Sequence, residues 1–371
     1  MPPRNEVFCG ERLQLAREFR GFTQKKLGEE VAASVAMIAR CETGRKSDPA
    51  PDLLEACAEV LGFESAFFHC GIDDLFLEKE CSFRHRRSTP EKSKTQIRAH
   101  ATLLGMVVQS LREHFSFPDV NLPQIQASTH EELELAAENA RVHWGLGIDG
   151  PLLQIGRVLE SAGVIIVRHL VKSSKVDAFS RYGKTTIIFL NDAVQSPSRW
   201  NFDIGHECAH LVLHRGIHTG DIETEAQADR FASAFLMPRK AFSREFTAAP
   251  FSWRHVFDLK RRWQSSAASI IRRSYDLGLI GAAEYRRSFQ YMSFKGWTKG
   301  EPAEPTFQDP ELLSTTLNAL GKKVDLTLED LRRELKFDRK TFADVTGVEV
   351  PVLIPKFADI IPMQMTTSSA S

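Results

Sequence analysis

The sequence predicts a multidomain chain: an all-α N-terminal domain, a central α+β domain and a small helical C-terminal domain. Three observations carry this reading. Residues 8–62 repeat apolar positions at helical spacing in short blocks, and β-branched runs at 163–169 and 185–191 sit among longer helical patterns. After GWTKGEP (296–302) the composition changes to short helical segments and a polar end. A length of 371 residues leaves room for two or three domains.

Composition narrows the field only a little. With 42% hydrophobic and 26% charged residues and a formal net charge of zero, the chain reads as an ordinary globular protein, and charge alone names neither a nucleic-acid nor a membrane partner. The start, MPPRNEVFCGERLQLA, lacks the apolar core of a signal peptide, and no run of about 18 apolar residues appears. No membrane partner is expected. The six cysteines include no CxxC pair, so the sequence predicts free thiols and a cytoplasmic location.

Taken in order, the first block is residues 1–70. Its apolar positions run through Leu13, Ala16 and Phe19, Leu27 and Val31, Val35 and Ile38, then Leu53, Leu54 and Ala58. Thr23 and Ser34 are expected helix N-caps and Gly44 a helix stop. Residues 71–129 read as a basic arm and helical linker, with six Arg/Lys against Glu91 over 81–99 and a helix over about 94–114. Residues 130–300 form the central domain: an amphipathic helix at 131–146, the two strands around a helix at 151–161, then helices near 197–215, 222–236 and 253–276. Residues 301–351 form the small helical domain, and 352–371 a tail expected to be disordered.

The chemistry is concentrated in HECAH (206–210). On a helix, His206 and His210 are one turn apart on one face, so both imidazoles reach one cation. Glu207 is rotated by about 100° from His206, which sets its carboxylate beside the cation as a base for a polarised water. The flanking apolar residues make the helix a buried one, and a buried helix with two histidines and a glutamate needs partners for them. A catalytic zinc takes a third protein ligand. Beyond His210, ETEAQADRFASAFLMP (223–238) supplies Glu225 for that place. Asp229, one turn further, is set to accept the free ring N–H of a zinc histidine. Glu223 is the competing carboxylate but lies off the Asp229 face. His214 cannot join: three ligands on consecutive turns of a straight helix span about 12 Å. It reads as packing or as support for the ligands, and Cys208 as a small buried residue.

These residues carry a family resemblance. GPLLQIGRVLESAGVIIV (150–167), DAFS (177–180), HECAHLVLH (206–214), ExxADRFASAFLMP (225–238) and RRWQSSAASIIRRSYDLGLI (261–280) resemble the ImmA/IrrE metallopeptidase family over residues 130–300. The resemblance implies Zn2+ held by His206, His210 and Glu225, Glu207 as catalytic base, and limited cleavage of a specific regulator such as a repressor. Asp229 falls where many members carry Asn. Tyr182, His218 and Tyr275 are the candidates to stabilise the oxyanion.

Residues 8–62 resemble the XRE (phage-repressor-like) helix-turn-helix family, with TQKKLGEEV as its first motif helix and SVAMIARCETG as the recognition helix. The resemblance implies phosphate contacts at Gln24, a structural ion pair between Arg17 and Glu42, and a groove-facing set of Ser34, Val35, Ala36 and Arg40. Val35, Ala36 and Met37 replace hydrogen-bonding residues of many relatives, leaving Arg40 as the one reader of a guanine edge. Residues 1–70 hold nine Arg/Lys against eleven Asp/Glu, short of the usual positive footprint for double-stranded DNA. Formation of a homodimer, or a basic arm at Arg84, Arg86 and Arg87, would compensate. A second basic region, 251–300, has ten Arg/Lys against Asp258, Asp276 and Glu284 and reads as either a further binding surface or a solvated face.

The combined expectation is an all-α helix-turn-helix domain, an α+β zincin-like peptidase domain and a small helical C-terminal domain. The functional expectation is a DNA-binding regulator that cleaves a protein partner. The alternative left open is a non-proteolytic regulator or antitoxin-like module whose peptidase-like domain senses a ligand or partner.

Overall fold

Four short helices open the chain: α1 (Gly10–Phe19), α2 (Gln24–Glu30), α3 (Val35–Glu42) and α4 (Pro51–Leu61). This computed structural model describes residues 7–44, 49–69, 71, 81–85, 91–168, 176–191, 195–217 and 219–351, with only the backbone given for 81–85, 176 and 177. Thr23 caps α2 by accepting from the Lys26 N–H, and Ser34 caps α3 by accepting from the Met37 N–H, which satisfies amides that a helix start leaves orphaned. The α2–α3 turn needs Gly28, because a Cβ there would lie 2.5 Å from the Ala33 carbonyl oxygen. A buried ion pair locks the set: Arg17 grips both carboxylate oxygens of Glu42, one at 2.9 Å, and also donates to the Phe22 carbonyl at 2.8 Å.

The strand β1 (Cys81–His85) and the helix α5 (Glu91–Arg112) come next. The stretch read as a basic arm therefore contains an edge strand, which sequence pattern did not reveal. Polar and basic residues are normal at a sheet edge, where they discourage pairing with other chains. Helix α5 is no free connector either, since Ile97, Ala101, Leu103, Leu104, Val107, Val108 and Leu111 are buried.

The central region contains α6 (His130–His143), α7 (Ile155–Ser161), β2 (Ile165–Val167), β3 (Val176–Arg181) and β4 (Ile187–Leu190). Then follow α8 (Pro197–Leu213), α9 (Ile222–Leu236), α10 (Arg239–Phe246), α11 (Trp253–Trp263), α12 (Ala267–Asp276) and α13 (Ala282–Phe294). The sheet has the order β1-β3-β4-β2, with β1 and β4 antiparallel to β3 and β2 parallel to β4. Its faces divide two cores. Ile165, Val167, Phe179, Ile187 and Phe189 point toward the α1–α5 side, while Ile166, Ala178, Ile188 and Leu190 pack against the helices of the central region.

The chain closes with α14 (Leu312–Ala319), α15 (Leu328–Glu334) and α16 (Arg339–Thr346). These three helices share a core with α1–α5 rather than forming an isolated unit. Phe63 and Phe337 form a β-bridge and meet edge to face with ring centroids 5.5 Å apart. Arg20 donates to the Leu61 carbonyl at 2.7 Å, to Thr341 and to Asp344 at 2.8 Å. Among the described residues no helix is long and apolar enough to cross a membrane, and no disulfide joins Cys9, Cys41, Cys57 or Cys208.

Candidate metal centre and DNA-facing helix

Two packed helices build the centre. α8 carries His206, Glu207 and His210, all buried, and α9 carries Glu225 and Asp229. Asp221 fixes the start of α9: its carboxylate accepts from the Glu223 and Thr224 amides at 2.8 and 3.0 Å and from the Thr224 hydroxyl at 2.8 Å. That cap places Glu225 in the first turn, against α8.

The structure brings the expected residues together. His206 Nε2 and His210 Nε2 are 3.1 Å apart, and each lies 3.4 Å from a different oxygen of Glu225. One ligand atom from each of these three residues falls within 4.8 Å of the others, the spacing of a donor set around one ion. The outward nitrogens are occupied. His206 Nδ1 lies 2.8 Å from Asp229 Oδ1, and His210 Nδ1 lies 2.9 Å from His214 Nδ1. Three inward atoms, two imidazole nitrogens and a carboxylate, are the donor chemistry zinc takes, so the residues fit the metal.

Electrostatics favour the ligating forms. Burial pulls the His210 imidazole down to about 4, overriding the opposite pull of Glu225, so the ring is neutral near pH 7. Burial works to raise the Glu225 carboxyl, but hydrogen bonds and charge from His206 and His210 outweigh it and hold it at about 2. The Glu207 carboxylate is fully buried on the same helix, and Cys208 is buried with its thiol pushed upward by desolvation. A cavity of about 440 Å³ opens beside Asp229, walled by Phe202, Ala226, Tyr285 and Phe289 with Arg272 and Asp276 at its polar side.

The oxyanion candidates fare differently. Tyr182 is partly exposed under the Arg215 guanidinium, 4.3 Å from its ring centroid, and Tyr275 packs on Tyr285 at 4.6 Å. His218 lies outside the described residues, as do Arg86, Arg87 and the tail 352–371.

On α3, Ser34, Val35, Ala36 and Arg40 are all exposed, with Val35 at 45%. Arg40 folds back so that its Nε donates to the Ala36 carbonyl at 3.2 Å. Gln24 is half-buried and its amide donates to Glu42 at 2.7 Å, so that side chain is committed to the Arg17–Glu42 pair rather than presented to solvent.

Half of the ten basic residues of 251–300 meet an acidic partner, and three of these draw on acids outside that stretch. Arg273 is fully buried and pairs with both oxygens of Glu134 at 2.6 and 2.7 Å. Lys260 is fully buried between Glu301 and Glu304, each at 2.6 Å. Arg261, Arg262 and Arg272 reach Asp258, Glu245 and Asp276. Sequence reading missed these partners, because Glu134 and Glu301 lie far away along the chain.

Residues 159–275 match the IrrE N-terminal-like domain family, and residues 9–66 match a helix-turn-helix domain family. The first match spans every residue of the centre, and the second spans α1–α4. The chain thus carries a helix-turn-helix domain followed by a domain similar to the IrrE N-terminal-like family. It is a regulator-type protein with a peptidase-like domain. No curated protein sequence matches the chain.

Proposed function

We propose that the chain is a DNA-binding regulator with zinc-dependent endopeptidase activity, directed at a specific regulatory protein such as a repressor. The observation that carries this is the convergence of His206 Nε2, His210 Nε2 and Glu225 while both Nδ1 atoms are engaged elsewhere. His206, His210 and Glu225 hold the metal, and Asp229 orients the His206 ring. A bound zinc supplies Lewis acidity, which brings the pKa of a water to about 7 and polarises a peptide carbonyl. Glu207, one residue along from His206, takes the proton from the attacking water and returns it to the leaving amine. Its burial keeps bulk water from competing for that proton.

The N-terminal domain directs this activity toward a partner met at DNA. The exposed Ser34, Val35, Ala36 and Arg40 give a mostly apolar groove-facing surface with one cation, and the α2 start offers backbone amides to phosphate. The zinc content of the purified chain tests the centre: one zinc per chain, lost on His210→Ala or Glu225→Ala and kept on Glu207→Gln. A chain that holds no zinc at neutral pH contradicts the proposal.

A further inference from the structure

We infer that the cavity beside Asp229 is a specificity pocket that takes one large apolar side chain of the polypeptide cut at the metal centre. The inference rests on the peptidase reading above and adds to it the class of residue that flanks the cleaved bond.

The place of the cavity follows from the helices that carry the ligands. Phe202 lies one turn before His206 on α8, and Ala226 follows the ligand Glu225 on α9. Asp229, 2.8 Å from His206 Nδ1, also lines the cavity. A chain with its carbonyl at the centre therefore has the cavity within reach of a neighbouring side chain. The remaining apolar wall is Ala268 of α12 with Tyr285 and Phe289 of α13, whose rings pack with centroids 4.8 Å apart. The volume of about 440 Å³ falls near the lower end of small-molecule sites, about 300–1,000 Å³. That is room for one side chain and its own backbone, not for a folded element.

The chemistry of the lining sets what enters. Arg272 holds Asp276 at 3.0 Å, Arg230 lies 3.4 Å from Glu134, and Asp229 is engaged with His206. A charged side chain would give up its water and find these charges already engaged, which is unfavourable. An apolar one exchanges water for the Phe202, Tyr285 and Phe289 surfaces, the direction in which burial is favourable. Arg230 adds a polar contact. Its Nε is buried with no hydrogen-bond partner among the described residues, and it offers a donor to a backbone carbonyl that enters with the side chain.

The test uses the full chain and two readouts. In metal-free protein, the Ala226 and Ala268 methyl signals are followed by NMR during titration with the N-acetyl amides of phenylalanine, aspartate or lysine. In zinc-loaded protein, a peptide mixture with randomised positions is digested and the residues around each new terminus are counted. Expected are shifts of both methyls with the phenylalanine amide alone. The digest should show a preference of about 10- to 200-fold for large apolar residues at one fixed place beside the cut. Ala268→Trp, which fills the cavity, should abolish the Ala226 shift and the preference. Ala268→Glu, which sets a carboxylate in the wall, should move the preference to lysine and arginine. Methyls indifferent to the phenylalanine amide, cleavage without a preferred residue, or a preference unchanged in both variants overturns the inference. Methyls that respond as expected, in a protein that cuts no peptide when zinc-loaded, overturn the peptidase reading and uphold the apolar cavity.

Discussion

Asp229 Oδ1 stands 2.8 Å from His206 Nδ1, on the side of the ring opposite the nitrogen that faces Glu225. A carboxylate in that place holds the ring by its N–H and turns the other nitrogen inward. Asp229→Ala should therefore weaken zinc binding by about 10- to 100-fold, while Asp229→Asn, which keeps an acceptor oxygen, should lose far less. Chelator competition on the two variants checks the ordering.

Acid should loosen the metal-free fold in a defined window. His210 is neutral when folded because burial lowers it from 6.5 to about 4, and burial lowers His214 in the same direction. Between those pH values the unfolded chain binds protons that the folded one refuses, so stability is lost as pH falls from about 6.5 toward about 4. Denaturation of the chelated protein across that range should show the loss. His214→Phe should reduce its slope.

Arg273 and Glu134 tie α12 to α6 across the domain interior with two hydrogen bonds of 2.6 and 2.7 Å. Glu134→Ala leaves a buried guanidinium short of its counter-ion and should cost about 3–5 kcal/mol. Replacing both residues with apolar ones of similar size should cost less. Chemical denaturation of the single and double variants distinguishes a buried ion pair from the solvated basic face that composition alone allows.

Arg40 is the one exposed cation among the four residues proposed to face DNA, Ser34, Val35, Ala36 and Arg40, and Val35 is exposed beside it. Arg40→Ala should lower DNA affinity by about 1–3 kcal/mol and relax preference at one base position, with no change in thermal stability. Arg17→Met, by contrast, should lower stability and DNA binding together, since it leaves Glu42 without its buried partner. Titration with operator and scrambled duplexes, run beside thermal melts, reads both.

The parts of the site legible in the sequence were those with short-range geometry. His206 and His210 are one helical turn apart, Glu225 and Asp229 likewise, and the bounds expected for α9 coincide with Ile222–Leu236. The Asp221 cap gives that helix a defined start. Features that depend on distant partners were not legible. Nothing in CSFRH announces an edge strand, because edge strands lack the two-sided apolar pattern of buried ones. The helix expected over 253–276 breaks at Gln264, which adopts a left-handed φ of 54° with no glycine or proline to mark the break. Lys260 and Arg273 looked like surface charge until Glu301, Glu304 and Glu134 met them in space. The contact of Phe337 with Phe63 and Phe67 was hidden for the same reason, since these residues lie far apart along the chain.

The most direct test compares zinc-loaded wild type with zinc-loaded Glu207→Gln, each incubated with proteins from its own cell, by sequencing the new N-termini that appear. The account predicts a small set of new termini in one or a few regulatory proteins with the wild type and none with the variant, at equal zinc content. Identical termini in both samples, with both proteins fully metallated, would contradict it.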